Sequence, residues 1–286
     1  MNLSIIILAA GKGSRMKSTK AKVLHPISGK EMLYFIIKES LKISDDVTVV
    51  IHHQKEAVQE AMMKHFGDRI NFVVQDAENF PGTGGAVMNI QPQHEKVLVL
   101  NGDMPLITAE SLQGFETSDA DITMSIFDLE DSSGYGRVII SPEGVERIVE
   151  EKDATDEEKA VTTVNAGIYA FSKTVLQKYL PKLSKENAQS EYYLTDVISM
   201  ARADGLSIKP LLVDEEHFKG VNSKLDLASA EEIMQGRIKE KWMREGVSMQ
   251  LPSTNYIEEG VTFKGESILE NGVRLRRSLT IQNAHQ

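Results

Sequence analysis

Leu3 to Leu8 is an unbroken apolar, β-branched run that stops at Ala9-Ala10-Gly11-Lys12-Gly13. From Glu31 to Leu41, the residues Leu33, Ile36, Ile37 and Leu41 fall at helical spacing. The order is strand, glycine loop, helix. It continues with strands over Val47–Ile51, Asn71–Gln75 and Lys96–Leu100, separated by helices over Lys55–Phe66 and, opened by a glycine turn, Thr83–Ile90. Strands alternating with helices at this spacing predict parallel pairing with right-handed crossovers, hence a doubly wound α/β sheet. Ligands in such sheets bind at the carboxyl ends of the strands.

The middle of the chain follows another rhythm. Short strands around Ile122–Phe127, Gly136–Ile140, Val145–Val149 and Thr163–Phe171 succeed one another across Ser132-Ser133-Gly134 and Pro142-Glu143-Gly144, which predicts an antiparallel insertion or lid partly paired to the main sheet. A helix over Tyr192–Arg202 and a strand over Ser207–Val213 follow. Between Ser223 and Arg244, the residues Leu227, Met234, Ile238 and Trp242 share one face of a long connecting helix. Beyond Gly246 the period becomes six, with Ile257, Phe263, Leu269, Leu275 and Ile281 on one track and Val261, Val273 and Leu279 on another. A six-residue period marks a parallel β-helix. Such a coil needs several stacked turns and this chain offers fewer than two, so a truncated sequence or a capping stub is expected. The expected division is therefore 1–222, a helical linker over 223–246, and the first β-helix rungs over 247–286.

Composition narrows the partners. With 32 Lys+Arg against 42 Asp+Glu the formal charge is −10, and the basic residues are scattered, so neither nucleic acid nor a membrane surface is expected as a partner. A hydrophobic fraction of 41% supports a sizeable core, and the absence of cysteine excludes disulfides, thiolate metal sites and cysteine nucleophiles. The Leu3–Ala10 run is too short to span a bilayer and lacks the flanks of a signal peptide, so a cytoplasmic protein is expected.

Two places carry candidate chemistry. In the first, Gly11 and Gly13 follow a buried strand, where backbone N–H groups can approach a polyphosphate, and Arg15 and Lys22 supply positive charge. The loop matches neither the Walker nor the GxGxxG pattern, Met16 standing at the last position, and by itself equally fits a tight turn bearing solvated cations. In the second, strand Val97–Leu100 delivers Asp103 at its carboxyl end, where a carboxylate beside polyphosphate can hold Mg²⁺; a local turn or helix cap is the other reading. Asn222 offers a second oxygen ligand, or else caps the long helix. His52 and His53 point to opposite faces of a strand end and cannot easily share a metal ion. His25, preceding Pro26, is expected to be extended.

In order and spacing, LAAGKGSRM (8–16), AKVLHPISGK (21–30), NGDMPL (101–106), GYGRV (134–138), VEEKDA (149–154), VNAGIYAF (164–171), EYYLTD (191–196) and FKGVNSK (218–224) resemble the bacterial bifunctional N-acetylglucosamine-1-phosphate uridyltransferase/glucosamine-1-phosphate acetyltransferases. The loop alone would indicate only the broader sugar-phosphate nucleotidyltransferases. The likeness covers Met1 to about Trp242 as the uridyltransferase part, and Val247 to Gln286 resembles the first rungs of the acetyltransferase β-helix. It implies a Rossmann-like nucleotidyltransferase domain followed by the start of a left-handed β-helix. It also implies Mg²⁺-dependent transfer from UTP to N-acetylglucosamine 1-phosphate, giving UDP-N-acetylglucosamine for cell-wall and lipopolysaccharide precursors. Carried over by position, Leu8, Ala10, Gly11 and Gly13 would meet the nucleotide, Arg15 and Lys22 the phosphates, and Gln75, Gly82 and Thr83 the uracil edge. Asp103 and Asn222 would hold Mg²⁺, while Gly136, Glu150 and Asn165 would bind the sugar phosphate; Glu150 is chosen over Glu151 by its distance from Lys152-Asp153. Full-length members of the family form trimers through the β-helix, so a weakly associated or monomeric chain without acetyltransferase activity is expected here.

Two positions depart from the family pattern. Gly84-Gly85 stands where Ala-His is common, and Ser14 where Thr is usual. The same chemistry on another nucleotide and sugar phosphate is the nearest alternative, and a non-catalytic nucleotide-sugar sensor or β-helix scaffold is one from a different class. Intact Arg15, Lys22, Asp103 and Asn222 favour the enzyme.

Overall fold

The structure, a computed structural model, describes residues 2–277 and 279–282. The chain enters through β1 (Leu3–Leu8) and a tight hairpin, β2 (Pro26–Ile27) and β3 (Lys30–Glu31), before α1 (Met32–Ser40). Then come β4 (Asp46–Ile51), α2 (Lys55–Phe66), β5 (Asn71–Val74), α3 (Gly82–Met88), β6 (Lys96–Asn101) and α4 (Gln113–Glu116). The middle holds β7 (Ile122–Asp128), β8 (Arg137–Ser141), β9 (Gly144–Val149), α5 (Asp156–Lys159), β10 (Thr163–Ser172), α6 (Lys173–Tyr179), α7 (Asp196–Ala203), β11 (Ile208–Leu212) and α8 (Glu215–Phe218). The long α9 (Lys224–Arg244) leads to six short strands: β12 (Val247–Met249), β13 (Tyr256–Ile257), β14 (Thr262–Lys264), β15 (Ser267–Leu269), β16 (Arg274–Leu275) and β17 (Thr280–Gln282).

The main sheet runs β11-β7-β10-β6-β1-β4-β5. As the strand and helix alternation predicts, β1, β4, β5 and β6 pair in parallel. The antiparallel part is threaded into this sheet, because β10 lies antiparallel between β6 and β7, and only the β8–β9 hairpin stands off its path. Residues of alternating parity divide the core. Ile5, Ile7, Val49, Leu98 and Leu100 pack with Leu33, Ile36 and Ile37 of α1 and Val58 and Met62 of α2. Ile6, Val97, Val99, Met124 and Phe171 pack on the other face with Val87 of α3, Val175 and Leu176 of α6, and Val197 and Ile198 of α7. Helices thus cover both faces, and the carboxyl ends of β1 and β6 open at one edge. The helix expected from Tyr192 begins only at Asp196, because Tyr192 and Leu194 are tied to the turn around Gly82.

A third apolar cluster joins the hairpin, α9 and the C-terminal strands: Ile27, Met32 and Phe35 meet Met234, Ile238 and Trp242, which meet Val247, Ile257, Leu269 and Leu275. The strands pair in parallel as β12–β15, β13–β16 and β14–β17, at offsets of 20 residues in the first case and 18 in the others, so one turn of a three-sided coil stacks on the next. Ile257, Leu269 and Leu275 of one six-residue track and Val261 of the other are buried in the stack. Leu279 is not, being 44% exposed just ahead of β17. The end of the expected coil, 283–286, lies outside the described residues.

Gln235 sits at this junction, 6% exposed. Its Nε2 donates to the Ile257 carbonyl (2.7 Å) and Ser28 Oγ (2.9 Å), and its Oε1 accepts the Ile257 N–H (3.0 Å). Replacing it with Leu keeps the bulk and strands two buried backbone groups. We expect Gln235→Leu to cost about 2–4 kcal/mol in urea unfolding, and a change within the error of the fit would show that the junction does not depend on this bridge.

Candidate active site

The glycine loop ends in left-handed backbone at Gly13 (φ +63), and a Cβ there would stand 2.5 Å from Lys22 Cβ. Glycine is needed because the lysine stem crosses it. Lys22 thereby reaches the end of β6, where its Nζ bonds to Asp103 Oδ2 and, at 3.0 Å, to Asn222 Oδ1. Arg15 donates to the same Asn222 oxygen at 2.9 Å, and the Val221 N–H binds the Asp103 carbonyl at 2.8 Å. Four residues from three distant stretches of the sequence meet here, with the Lys22 and Asp103 side chains only 14% and 17% exposed.

Asn222 is not the helix cap. Ser223 caps α9 instead, its Oγ accepting the Asp226 N–H at 3.1 Å while Asp226 returns to the Ser223 N–H at 2.8 Å. The Asn222 amide is left for the cation cluster. Its oxygen and one of Asp103 converge on a single positive centre, which is the donor arrangement a small divalent cation needs. No group of three or more His, Asp or Glu suited to a metal occurs among the described residues. Magnesium requires none, since it takes one or two carboxylates together with phosphate oxygens and water.

A cleft of about 840 Å³ opens beside the cluster, lined by Leu8, Ala10, Gly11, Lys22, Gln75, Gly82, Thr83 and Asp103 among others. Its far wall is made by backbone. Gln75 Nε2 donates to the carbonyls of Phe80 (2.9 Å) and Gly82 (3.0 Å). Gly84 N–H binds the Tyr192 carbonyl at 2.8 Å, Tyr192 N–H binds that of Pro81 at 2.9 Å, and Thr83 Oγ1 accepts from Leu194 N–H at 3.1 Å. The contact is tight enough that a Cβ on Gly82 would stand 2.6 Å from the Tyr192 carbonyl oxygen, one on Gly84 2.5 Å from Leu183 Cδ1, and one on Gly85 would overlap the Phe80 carbonyl. Gly82 and Gly84 therefore suit the close approach of the 191–194 segment, and Gly85 that of the Phe80 backbone.

Gly136, Glu150 and Asn165 form a second group next to this wall. Asn165 N–H donates to the Gly136 carbonyl at 2.8 Å, and Glu150 Oε2 stands 3.5 Å from where a Gly136 Cβ would lie. Glu150 Oε1 accepts from Thr195 Oγ1 at 3.1 Å. Burial pushes the Glu150 carboxyl above its usual range; the Thr195 hydrogen bond works against this, and the nearby Asp196, Asp153 and Glu191 add to it. Its neighbour Glu151 instead pairs with Arg137 at 2.6 Å. His52 lines the cleft, and His53 N–H reaches the Ala10 carbonyl at 3.4 Å. Sequence reasoning missed Tyr192, Thr195 and Asn101. The first works through its backbone, the second through a residue 45 positions away, and the third through a strand bulge.

Comparison with known proteins bears on this geometry. A model described as nucleotidyl transferase matches residues 4–215. The chain is 63% identical over 283 residues to the bifunctional protein GlmU of Sulfurimonas denitrificans, covering 99% of this chain and 65% of that protein. It is 59% identical over 285 residues to the bifunctional protein GlmU of Wolinella succinogenes, covering 100% of this chain and 66% of the relative. The chain thus spans about 65% of the length of the curated relatives it matches. Among solved structures, the inositol-1-phosphate CTP transferase from T. maritima superposes with TM-score 0.62 at 18% identity, covering 82% of this chain and 95% of that one. A putative glucose-1-phosphate thymidylyltransferase from Bacillus anthracis gives TM-score 0.62 at 19% identity, with 81% and 94% covered. At such identities the likeness is one of fold.

The raised Glu150 carboxyl has a thermodynamic consequence. Its charged form is disfavoured in the folded state, so its burial is harmless below the ordinary carboxylate range and costs stability as pH rises through the elevated value. Glu150→Gln should therefore raise the melting temperature at about pH 7.5, with the gain vanishing near pH 4. Calorimetry at both values checks this, and an equal shift at each would remove the electrostatic cause.

Proposed function

The chain belongs to the nucleotidyl transferase family, and on that premise we propose that it transfers uridylyl from UTP to N-acetylglucosamine 1-phosphate, giving UDP-N-acetylglucosamine and pyrophosphate. The observation that carries this reading is the meeting of Lys22, Arg15, Asp103 and Asn222 beside the glycine loop, at the mouth of the cleft. The relatives are named as bifunctional, and the residues here supply a chemical rationale for one transfer activity.

In the proposed reaction an oxygen of the sugar phosphate attacks the α-phosphorus of UTP. The new P–O bond forms as the bond to the β-phosphate bridging oxygen breaks, and pyrophosphate leaves with the electron pair. A phosphate monoester with a second pKa of about 6 is already largely ionised at neutral pH, so no general base is required. Catalysis then consists of alignment and charge neutralisation. Lys22 and Arg15 would meet the phosphates, and backbone N–H groups of the Gly11–Gly13 loop would approach them. Asp103 and Asn222 would hold Mg²⁺, which supplies further positive charge to the triphosphate. Gln75 would face the uracil with Gly82 and Thr83, and Leu8 and Ala10 would flank the nucleoside. Glu150, Asn165 and Gly136 would receive the N-acetylglucosamine. In the same reading, 1–222 is the transferase unit, 223–246 its helical linker and 247–286 the first rungs of a β-helix.

The test is pyrophosphate release over a grid of nucleoside triphosphates and sugar 1-phosphates, with and without Mg²⁺. We expect a clear preference for UTP with N-acetylglucosamine 1-phosphate and loss of turnover on chelation. Asp103→Ala should lower kcat by about a hundredfold or more, the scale on which a lost charge-stabilising group acts. A near wild-type rate in that variant would refute the metal assignment, and preference for another pair would reassign the substrates.

A further inference from the structure

The ladder between β6 and β10 stops short of the cleft. Its last pair is Tyr169 opposite Val99, and the same antiparallel register would set Gly167 opposite Asn101. At that point β10 also slips against β7, between Asn165 and Tyr169, and Gly167 adopts φ +82. Beyond the slip β10 leaves β6 and follows β7 and β8, so that Val164 faces Arg137 and Asn165 N–H binds the Gly136 carbonyl. The two subsites of the proposed reaction lie on either side of this divergence: Asp103 follows β6, and Asn165 sits on β10.

Side chains take up the backbone groups that the bulge frees. Asn165 Oδ1 accepts the Gly167 N–H at 3.0 Å, and Asn101 Nδ2 donates to the Gly167 carbonyl at 3.0 Å. On the buried side, Ser125 Oγ accepts the Ile168 N–H at 2.9 Å and donates to the Ile168 carbonyl at 3.1 Å. A Cβ on Gly167 would stand 2.7 Å from Asn101 Nδ2, so the glycine is required for space as well as for its backbone angle. Bulges next to binding sites re-aim side chains, and the residue this bulge carries at the edge of β10 is Asn165. Although Asn101 lines the cleft, its amide donor is engaged with the strand.

We infer that Asn101 is a positioning residue: by clasping the Gly167 carbonyl it fixes the sugar-binding edge of β10 against the end of β6 that carries Asp103. The inference rests on the proposed uridyltransferase reading and adds a residue that sets the affinity for the sugar phosphate without holding the nucleotide.

Asn101→Leu keeps the bulk, removes the donor to the Gly167 carbonyl and adds no charge beside Asp103. The expected result is a rise of about tenfold in KM for N-acetylglucosamine 1-phosphate and in the calorimetric Kd for UDP-N-acetylglucosamine, the scale of one hydrogen bond. The Kd for UTP should stay at the wild-type value. Ser125→Ala, fully buried behind the bulge, should show the same selective weakening. Wild-type sugar affinity in Asn101→Leu would overturn the inference. So would an equal loss of UTP affinity, which marks a general structural role, or an unaffected Ser125→Ala beside a weakened Asn101→Leu, which marks direct contact with the sugar. Wild-type turnover measured alongside separates the two levels. An active wild type with unaltered variants overturns this inference alone, whereas an inactive one overturns the proposed function and the inference with it.

Discussion

One ammonium group, that of Lys22, holds together three stretches of chain that approach the cleft from different directions. It spans 81 residues to Asp103 and 200 to Asn222, so the glycine loop, the end of β6 and the entry to α9 share a single electrostatic anchor. Taking a lysine and a carboxylate largely out of water is costly unless further polar groups complete their coordination. Asn222 does so, and it is available because Ser223 and Asp226 cap the helix between them. A second cation, Arg15, shares the Asn222 oxygen. The charges are thus gathered and oriented by their mutual bonds, the kind of fixed arrangement that electrostatic preorganisation relies on.

The placement of Lys22 depends on residues distant from the cleft. Six positions after it, Ser28 occupies a positive-φ turn (φ 46) with Gly29 (φ 84), and its N–H donates to both oxygens of Glu231 on α9, at 3.0 and 2.8 Å. Gln235 links the same turn to Ile257, the Ser28 carbonyl accepts the Glu259 N–H at 2.7 Å, and Lys38 pairs with Glu259. The hairpin is therefore held between α9 and the C-terminal coil. Apolar packing of Ile27 and Met32 against Ile257 and Met234 closes the same joint. Whatever chemistry the coil serves in a longer protein, here it has a mechanical role: it backs the segment that delivers the lysine.

What could be read from the sequence follows from how local each cause is. The Gly11–Gly13 loop and Asp103 are written in contiguous residues, an apolar strand followed by its terminus, and the structure places both at one cleft. Asn222 had two readings because an Asn before a long helix commonly caps it; the reciprocal Ser223 and Asp226 bonds exclude the cap, and the ligand role stands as proposed. Glu150 and Glu151 are indistinguishable by pattern alone. They part because Arg137 takes Glu151 while Thr195 takes Glu150. The antiparallel strands were legible as strands, but their weaving into the main sheet was not, since the partners of β10 are set by packing on both faces. Least legible were Gly84-Gly85 and Tyr192, whose significance lies in one backbone segment pressing on another.

The fold does not select the base. Its sheet is shared, at 18–19% identity, with a CTP transferase and a putative thymidylyltransferase, so selection has to lie in side chains and loops laid over common strands. Gln75 shows how little is needed. Its amide nitrogen is spent on the carbonyls of Phe80 and Gly82, which fixes the head group and leaves the oxygen as the atom it can offer a ligand. In the proposed reading, an acceptor so held would suit the N3–H of uracil and oppose the unprotonated N3 of cytosine. Because a hydrogen bond denied to a buried partner costs more than one gained returns, a single oriented amide can discriminate between bases. That orientation comes from the turn ending in Gly82, whose own φ of +89 and contact with Tyr192 leave it little room to move. Under that proposal, base recognition and the rigidity of the wall would have the same physical origin.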